Sequence, residues 1–334
     1  MNPVEDRRSG PNDAVSIVVL NYNNWADTTD CLTHLFRISY PHFRVIVVDN
    51  HSTNDSWDRI LSWLTAGGCE YLSLTQKESV HSAYRDSRLV LIRADGNRGY
   101  AAGNNIGIRW ALRSTDRYVL ILNNDTEVHP DFLQPLAALL QERSEAAVVG
   151  PKIVDVAGAL DRACARRRPG VLDYGFRLGL IGLLWRNNYW HKRHYYFKQC
   201  DYRSSREVDI VSGSCMMIRA TTLRQIGGLD ENTFLYLEEF ILHEQVRELG
   251  FRTFIVPQSK VIHKRGQSTK AIPSKTTFEI SLQSLGYYLR VYRRYPRVAV
   301  ELLVLNQRLA FMLVRWRQAL HRGVSAHGSG GPSC

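Results

Sequence analysis

Paired cysteines are missing from this chain. Its six (Cys31, Cys69, Cys164, Cys200, Cys215 and Cys334) stand apart and without zinc-ligand spacing. That excludes a disulfide framework and suits a reducing compartment. A long apolar run is missing too. Glu301, Asn306, Gln307 and Arg308 interrupt the best candidate, and residues 178–185 are too few, so no membrane span is expected. Residues 1–13 are polar and lack the apolar core of a secretory signal, so the expectation is a cytoplasmic chain. Neither a Walker loop nor a dinucleotide glycine fingerprint occurs. No stretch has the pattern of a nucleic-acid recognition module, so nucleic acid is not an expected partner.

What is present suffices for a folded core, because 44% hydrophobic and 22% charged residues are ordinary values for a globular chain. The net charge of +11 is unevenly placed. Residues 162–206 carry eleven Lys/Arg against two acids, and residues 264–334 carry twelve against Glu279 and Glu301, which leaves the remainder acidic. Two basic, aromatic-rich segments on an acidic body suit an anionic surface. Peripheral docking on the inner face of the cell membrane is the expected consequence, and a merely solvated basic surface is the alternative.

Val15–Leu20 and Arg44–Val48 are short β-branched runs that end in Asn21-Tyr22-Asn23-Asn24 and Asp49-Asn50. Both read as buried parallel strands. Between them, helical spacing over 25–38, with Asp27 or Thr28 as its cap, completes a βαβ unit. Strands are expected at 89–92 and 118–122, with a helix over 104–113 between them, and a further strand at 148–154. The four leading strands deliver Asn21, Asp49, Asn97 and Asp125 to their carboxyl ends, where ligands bind in such sheets. Residues 162–206 read as an insertion or lid. Regular structure resumes over 208–219, a helix over 238–249 closes at Gly250, and strand follows at 254–256 and 261–263. The tail over 278–319 has a helical, amphipathic pattern.

The strand end Leu120-Ile-Leu-Asn-Asn-Asp-Thr-Glu127 places a carboxylate and two amides at the mouth of the sheet. Such oxygens suit a hard divalent cation, which also takes substrate phosphates; alternatively, Asp125 caps the next helix. Asp49 can accept a hydrogen bond from a base N–H, and Ser52 or Asp55 can cap a following helix. In Asn97-Arg-Gly-Tyr-Ala-Ala-Gly-Asn-Asn105, Gly99 and Gly103 would let a ligand approach the backbone closely.

In their order and spacing these motifs resemble the family 2 glycosyltransferases, which adopt the GT-A fold. The likeness continues through Gly227-Gly-Leu-Asp-Glu231 and Phe234-Leu-Tyr-Leu-Glu-Glu239 to Pro257 and His263, and so covers roughly residues 14–268. It is similar to bacterial rhamnosyltransferase-like enzymes of surface-polysaccharide assembly. The resemblance implies an α/β chain with a Rossmann-like, mostly parallel sheet flanked by helices. The nucleotide-binding half would span 14–126 and the acceptor and catalytic half 207–268. A helical region over 269–320 and a disordered tail over 321–334 would follow, and 1–13 would be flexible.

Roles follow residue by residue. Asn21, Asp49, Ser52, Asn97, Gly99 and Asn124 would hold the nucleotide of a UDP- or dTDP-sugar. Asp125 matches the last aspartate of the family's metal motif; the first is replaced by Asn123, and His263 would help hold the diphosphate or the metal, Mg²⁺ or Mn²⁺. Glu239 aligns with the base that deprotonates the acceptor, with Glu238 as second choice. Gly213 and Ser214 would border donor and acceptor, while Met216 and Met217 belong to the core. The implied reaction is inverting, non-processive sugar transfer to a glycan or lipid-linked acceptor. The alternatives are a sugar nucleotidyltransferase, or a non-catalytic scaffold of the same fold in a polysaccharide assembly complex.

Overall fold

The computed structural model describes residues 13–170, 173–174, 180, 202–264 and 274–327. The expected flexible start, the end of the expected disordered tail, the middle of the basic insertion and residues 265–273 lie outside the described residues.

Five strands, β1 (Val15–Asn21), β2 (Phe43–Asp49), β3 (Leu72–Thr75), β4 (Leu89–Arg93) and β5 (Tyr118–Asn123), lie parallel in the order β3-β4-β2-β1-β5. Their apolar runs are continuous because both faces are covered. Val15, Ile17 and Val19 face one core layer, and Val18 faces the other. Helices α1 (Trp25–Leu35) and α2 (Ser56–Ala66) pack with the first layer, and α4 (Tyr100–Ala111) packs with the second. The short α3 (Gln76–His81) carries a capping box between Thr75 and Glu78. Gly103 brings α4 close to the sheet, since a Cβ there would sit 2.7 Å from Leu20 and 3.0 Å from Asn50.

Beyond β5 the sheet becomes mixed. After β6 (Thr126–Val128), α5 (Leu133–Glu142) and β7 (Ala146–Val154) come two short strands, β8 (Ala165–Arg166), which pairs with β10, and β9 (Arg206–Val208), which pairs with β12. Next are β10 (Ile210–Val211), β11 (Cys215–Arg219), α6 (Ala220–Ile226), α7 (Glu238–Glu248) and β12 (Arg252–His263). β11 inserts antiparallel between β5 and β7, while β12 runs parallel to β7 and antiparallel to β6 and β9. Met216 and Met217 are fully buried on β11, as expected. The chain ends in α8 (Ser274–Val291) and α9 (Arg297–His327), which pack on α7 through Tyr174, Phe240, Leu285 and Tyr288. Among the described residues, no helix is long and apolar enough to cross a membrane.

Several expectations need correction. The first helix stops at Leu35, and its N-cap position is Asn24, which donates to Asp27; neither Asp27 nor Thr28 caps it. The helix expected from 104 starts at Tyr100, because the backbone of Gly99 already turns into it. The strand at 254–256 does continue through 261–263, as β12, with a register shift between Val256 and Lys260. The helical tail consists of two helices divided over residues 292–296, where Arg294 turns left-handed at φ 52° and Pro296 directly precedes α9. The ends of 162–206 are core rather than lid: Cys164, Ala165 and Tyr202 are buried.

Candidate active site

The carboxyl ends of β1, β2 and β5 bring the expected nucleotide residues into one hydrogen-bonded cluster. Asn21 Nδ2 donates to Asp49 Oδ1 at 2.7 Å and to Ser52 Oγ at 3.2 Å. Ser52 Oγ and its backbone N–H donate to the two Asp49 oxygens at 2.5 and 3.1 Å. Thr28, which sequence reasoning missed as a site residue, links Asn21 Oδ1 to Asn124 Nδ2 through contacts of 2.9 Å each. Asn21 and Asp49 are fully buried, so the cluster braces the two strand-end loops from beneath. Asn23, in the left-handed region at φ 56°, accepts from the Thr53 N–H at 2.8 Å and locks those loops together above it.

Asn97 Oδ1 accepts from Asn50 Nδ2 and from the Gly99 N–H, at 3.0 Å each. Gly99 has φ 98°, and a Cβ there would lie 2.1 Å from the Phe234 carbonyl oxygen. The closeness that requires glycine is thus to protein backbone. Gly103 is likewise held to glycine by Leu20 and Asn50. Tyr100, next in the motif, was not singled out in sequence, yet it occupies the middle of the site. Its hydroxyl donates to the Gly213 carbonyl at 2.7 Å and lies 3.3 Å from Asn123 Oδ1. Burial first, then the charges of Glu238 and Glu239, push its pKa well above the ordinary tyrosine value, so it stays a hydrogen-bond donor.

Asp125 and His263 come together from β-strand ends far apart in sequence: Oδ1 and Nε2 are 3.1 Å apart. A carboxylate and an imidazole are donors of the kind divalent ions accept, while the Asn123 amide oxygen lies 3.3 Å from the Tyr100 hydroxyl. The helix-cap alternative for Asp125 fails, because β6 follows it. A second acidic group, Asp30, His34 and Glu127, lies within metal-ligating distance of itself. The Lys264 ammonium already pairs with its Asp30 and Glu127 carboxylates, and Lys264 N–H also donates to the Asp125 carbonyl at 2.9 Å. The Asp125–His263 pair is the better cation site on this chemistry.

The acidic pair opens α7 after two consecutive left-handed residues, Tyr236 at φ 75° and Leu237 at φ 73°. Such backbone is costly for non-glycine residues and concentrates at functional sites. Glu239 Oε1 accepts from Arg166 Nη2 at 2.6 Å. Its other oxygen faces Gly213, where an added Cβ would sit 3.6 Å from Oε2. Glu238 is buried, and its Oε1 has no hydrogen-bond partner. Burial, then the neighbouring Glu239 charge, raises its pKa to about 8. Ser214 is held by its neighbour through Oγ–Oγ contact with Ser212 at 3.0 Å. Arg166 was another omission: no local pattern marks one arginine of a basic run as the partner of a glutamate 73 residues on.

Comparison with known proteins identifies the family and the fold. The Glycosyl transferase family 2 model matches residues 16–227. The chain is 29% identical over 159 residues to the N-acetylglucosaminyl-diphospho-decaprenol L-rhamnosyltransferase of Mycobacterium tuberculosis, a match covering 48% of this chain and 50% of that protein. It is 28% identical over 229 residues to the low-salt glycan biosynthesis hexosyltransferase Agl10 of Haloferax volcanii, covering 68% and 59% of the two. The chain thus spans about half the length of the curated relatives it matches. A solved mannosyltransferase from Pyrobaculum calidifontis, in complex with GDP-Man and Mn²⁺, superposes with TM-score 0.50 at 15% identity. That match covers 98% of this chain and 79% of the other. The expected GT-A fold is borne out.

Proposed function

The chain belongs to glycosyl transferase family 2, and from that premise we propose that it is an inverting, non-processive glycosyltransferase. It moves one sugar from a UDP- or dTDP-sugar to a glycan or lipid-linked acceptor in polysaccharide biosynthesis. The observation that carries this reading is that Tyr100 and Glu239 meet at the Gly213 backbone, with Asp125, paired to His263, near enough for its charge to act on Tyr100. The Mycobacterium relative, whose name includes a diphospho-decaprenol acceptor, supports a lipid-linked acceptor.

The loops braced by Asn21, Asp49, Ser52 and Asn124 receive the nucleoside, with Asn97 and Gly99 forming the adjoining wall. Asp125, His263 and Asn123 would hold a divalent cation. When bound, Mg²⁺ or Mn²⁺ neutralises the charge of a leaving diphosphate. Glu239 is the better base. It lines an open cleft, whereas Glu238 is buried and, with its pKa at about 8, protonated at neutral pH. Glu239 Oε2 takes the proton of the acceptor hydroxyl as that oxygen bonds to the anomeric carbon, and the nucleoside diphosphate departs from the opposite face. Tyr100 keeps the Gly213 carbonyl and Asn123 in position.

Docking on an anionic membrane surface rests on α9. Val298, Leu302, Leu305, Leu309, Met312, Leu313 and Trp316 are exposed along it at helical spacing, a stripe suited to the lipid interface. The test of the activity is a panel of nucleotide sugars given to the purified chain with Mg²⁺ or Mn²⁺. Turnover of at least one UDP- or dTDP-sugar, abolished by EDTA, is expected. Undiminished turnover in excess EDTA would remove the metal from this account.

A further inference from the structure

The loop that delivers Glu239 runs from Asp230 to Leu237, the residue before α7. Two consecutive carbonyls in it are taken by different helices. Phe234 accepts from the Tyr100 N–H at the start of α4, and Leu235 accepts from Ser284 Oγ of α8, each at 2.8 Å. Directly after them come Tyr236 and Leu237, left-handed at φ 75° and 73°, and then the acidic pair. A left-handed pair without glycine persists only where its surroundings over-determine it. Here the two bonds fix the backbone immediately before the turn, and α7 fixes it immediately after.

Helix α8 grips the same loop at a second point. Tyr287 donates to Asp230 Oδ2 at 2.7 Å, and Tyr292, just past the helix, donates to the same oxygen. Ser284 and Tyr287 are three residues apart and so share one face of α8. Burial opposes the ionisation of Asp230, but Tyr292, the Asn232 N–H and Tyr287 outweigh it and hold its pKa below the ordinary aspartate value. Ser284 is 3% exposed, so its hydroxyl is not shared with solvent. We propose that Ser284 is a positioning residue for sugar transfer. By holding the Leu235 carbonyl, with Tyr287 and Tyr292 holding Asp230, it fixes the turn that sets Glu239 facing Gly213. The proposal rests on Glu239 as the base and extends the working site to a helix outside the family match, which ends at residue 227.

A double-mutant cycle on the full chain tests this. Turnover is followed as release of UDP or dTDP from UDP-glucose, UDP-galactose, UDP-N-acetylglucosamine and dTDP-rhamnose with Mn²⁺, water standing in for the acceptor hydroxyl. With the fastest of these donors, Ser284→Ala is expected to lower kcat about fivefold to tenfold, with KM and UDP or dTDP affinity unchanged. In a Glu239→Gln background the same substitution should change kcat by less than about twofold, because the group it positions is already gone. Tyr287→Phe combined with Tyr292→Phe should follow the same pattern, and carries the test if Ser284→Ala does not fold. An equal loss in both backgrounds, no loss in either, or a loss confined to nucleotide affinity overturns the proposal. Glu239→Gln turning over at the wild-type rate would overturn the base assignment beneath the proposal, and the proposal with it.

Discussion

The guanidinium of Arg166 holds one oxygen of Glu239 at 2.6 Å while the other faces Gly213 and the cleft. This pairing fixes the rotation of the carboxylate without consuming both of its oxygens. Arg166→Ala is expected to lower kcat by about a hundredfold, the low end of the range attributed to positioned acid–base groups, with UDP or dTDP affinity unchanged. Steady-state kinetics with direct nucleotide titration check this; a loss confined to nucleotide affinity would contradict it.

Glu238 gives the site a pH signature. Its pKa is raised from 4.5 to about 8, by burial first and by Glu239 second. Between those values the folded chain keeps a proton that the unfolded chain has released, so this group's contribution to stability falls as pH rises. Glu238→Gln fixes the neutral form. It should match wild type below pH 4.5 and exceed it at pH 8 and above. Denaturant titrations across that window check the sign; a difference independent of pH would count against a buried, protonated Glu238.

The C-terminal helices are anchored through Glu244, which is nearly inaccessible. It accepts two bonds from Arg168, at 2.7 and 2.8 Å, and one from the Tyr288 hydroxyl at 2.9 Å. Burial works against its ionisation, but Arg168 and Tyr288 together hold its pKa below the ordinary glutamate value. Glu244→Ala is expected to cost about 3 kcal/mol, because it strands a partly buried guanidinium. Thermal or urea unfolding measures this, and a neutral result would show the hub to be dispensable.

The exposed stripe on α9 predicts membrane behaviour. Leu305 and Trp316 are exposed, so Leu305→Glu with Trp316→Glu leaves the core untouched while placing charge on the interfacial face. Wild type should float with anionic liposomes and the double variant should not. Equal flotation would remove α9 from the membrane contact.

The parallel half of the sheet was legible because each strand is an uninterrupted β-branched run that stops at a polar cluster. Over 56–81 only the helix after Asp55 is legible, since β3 has four residues with alternating partial burial and carries little apolar signal. Asp125 and Glu239 were legible by motif. Tyr100 and Arg166 were not, because what they do depends on partners 113 and 73 residues away. The motif glycines were legible as special positions, but their reason was not. Gly99 answers to the Phe234 carbonyl and Gly103 to Leu20 and Asn50, which are neighbours only after folding. Asn105, likewise, clamps Leu229 by two hydrogen bonds of 2.7 and 2.8 Å, coupling two motifs that sequence presents separately.

The central claim is that Glu239 deprotonates the acceptor. It is tested most directly by comparing sugar transfer in wild type, Glu239→Gln and Glu238→Gln, using the donor that the nucleotide-sugar panel selects. Glu239→Gln should lose about a hundredfold or more in kcat with nucleotide affinity retained, and Glu238→Gln should lose far less. Near-full transfer by Glu239→Gln alongside an inactive Glu238→Gln would contradict the account.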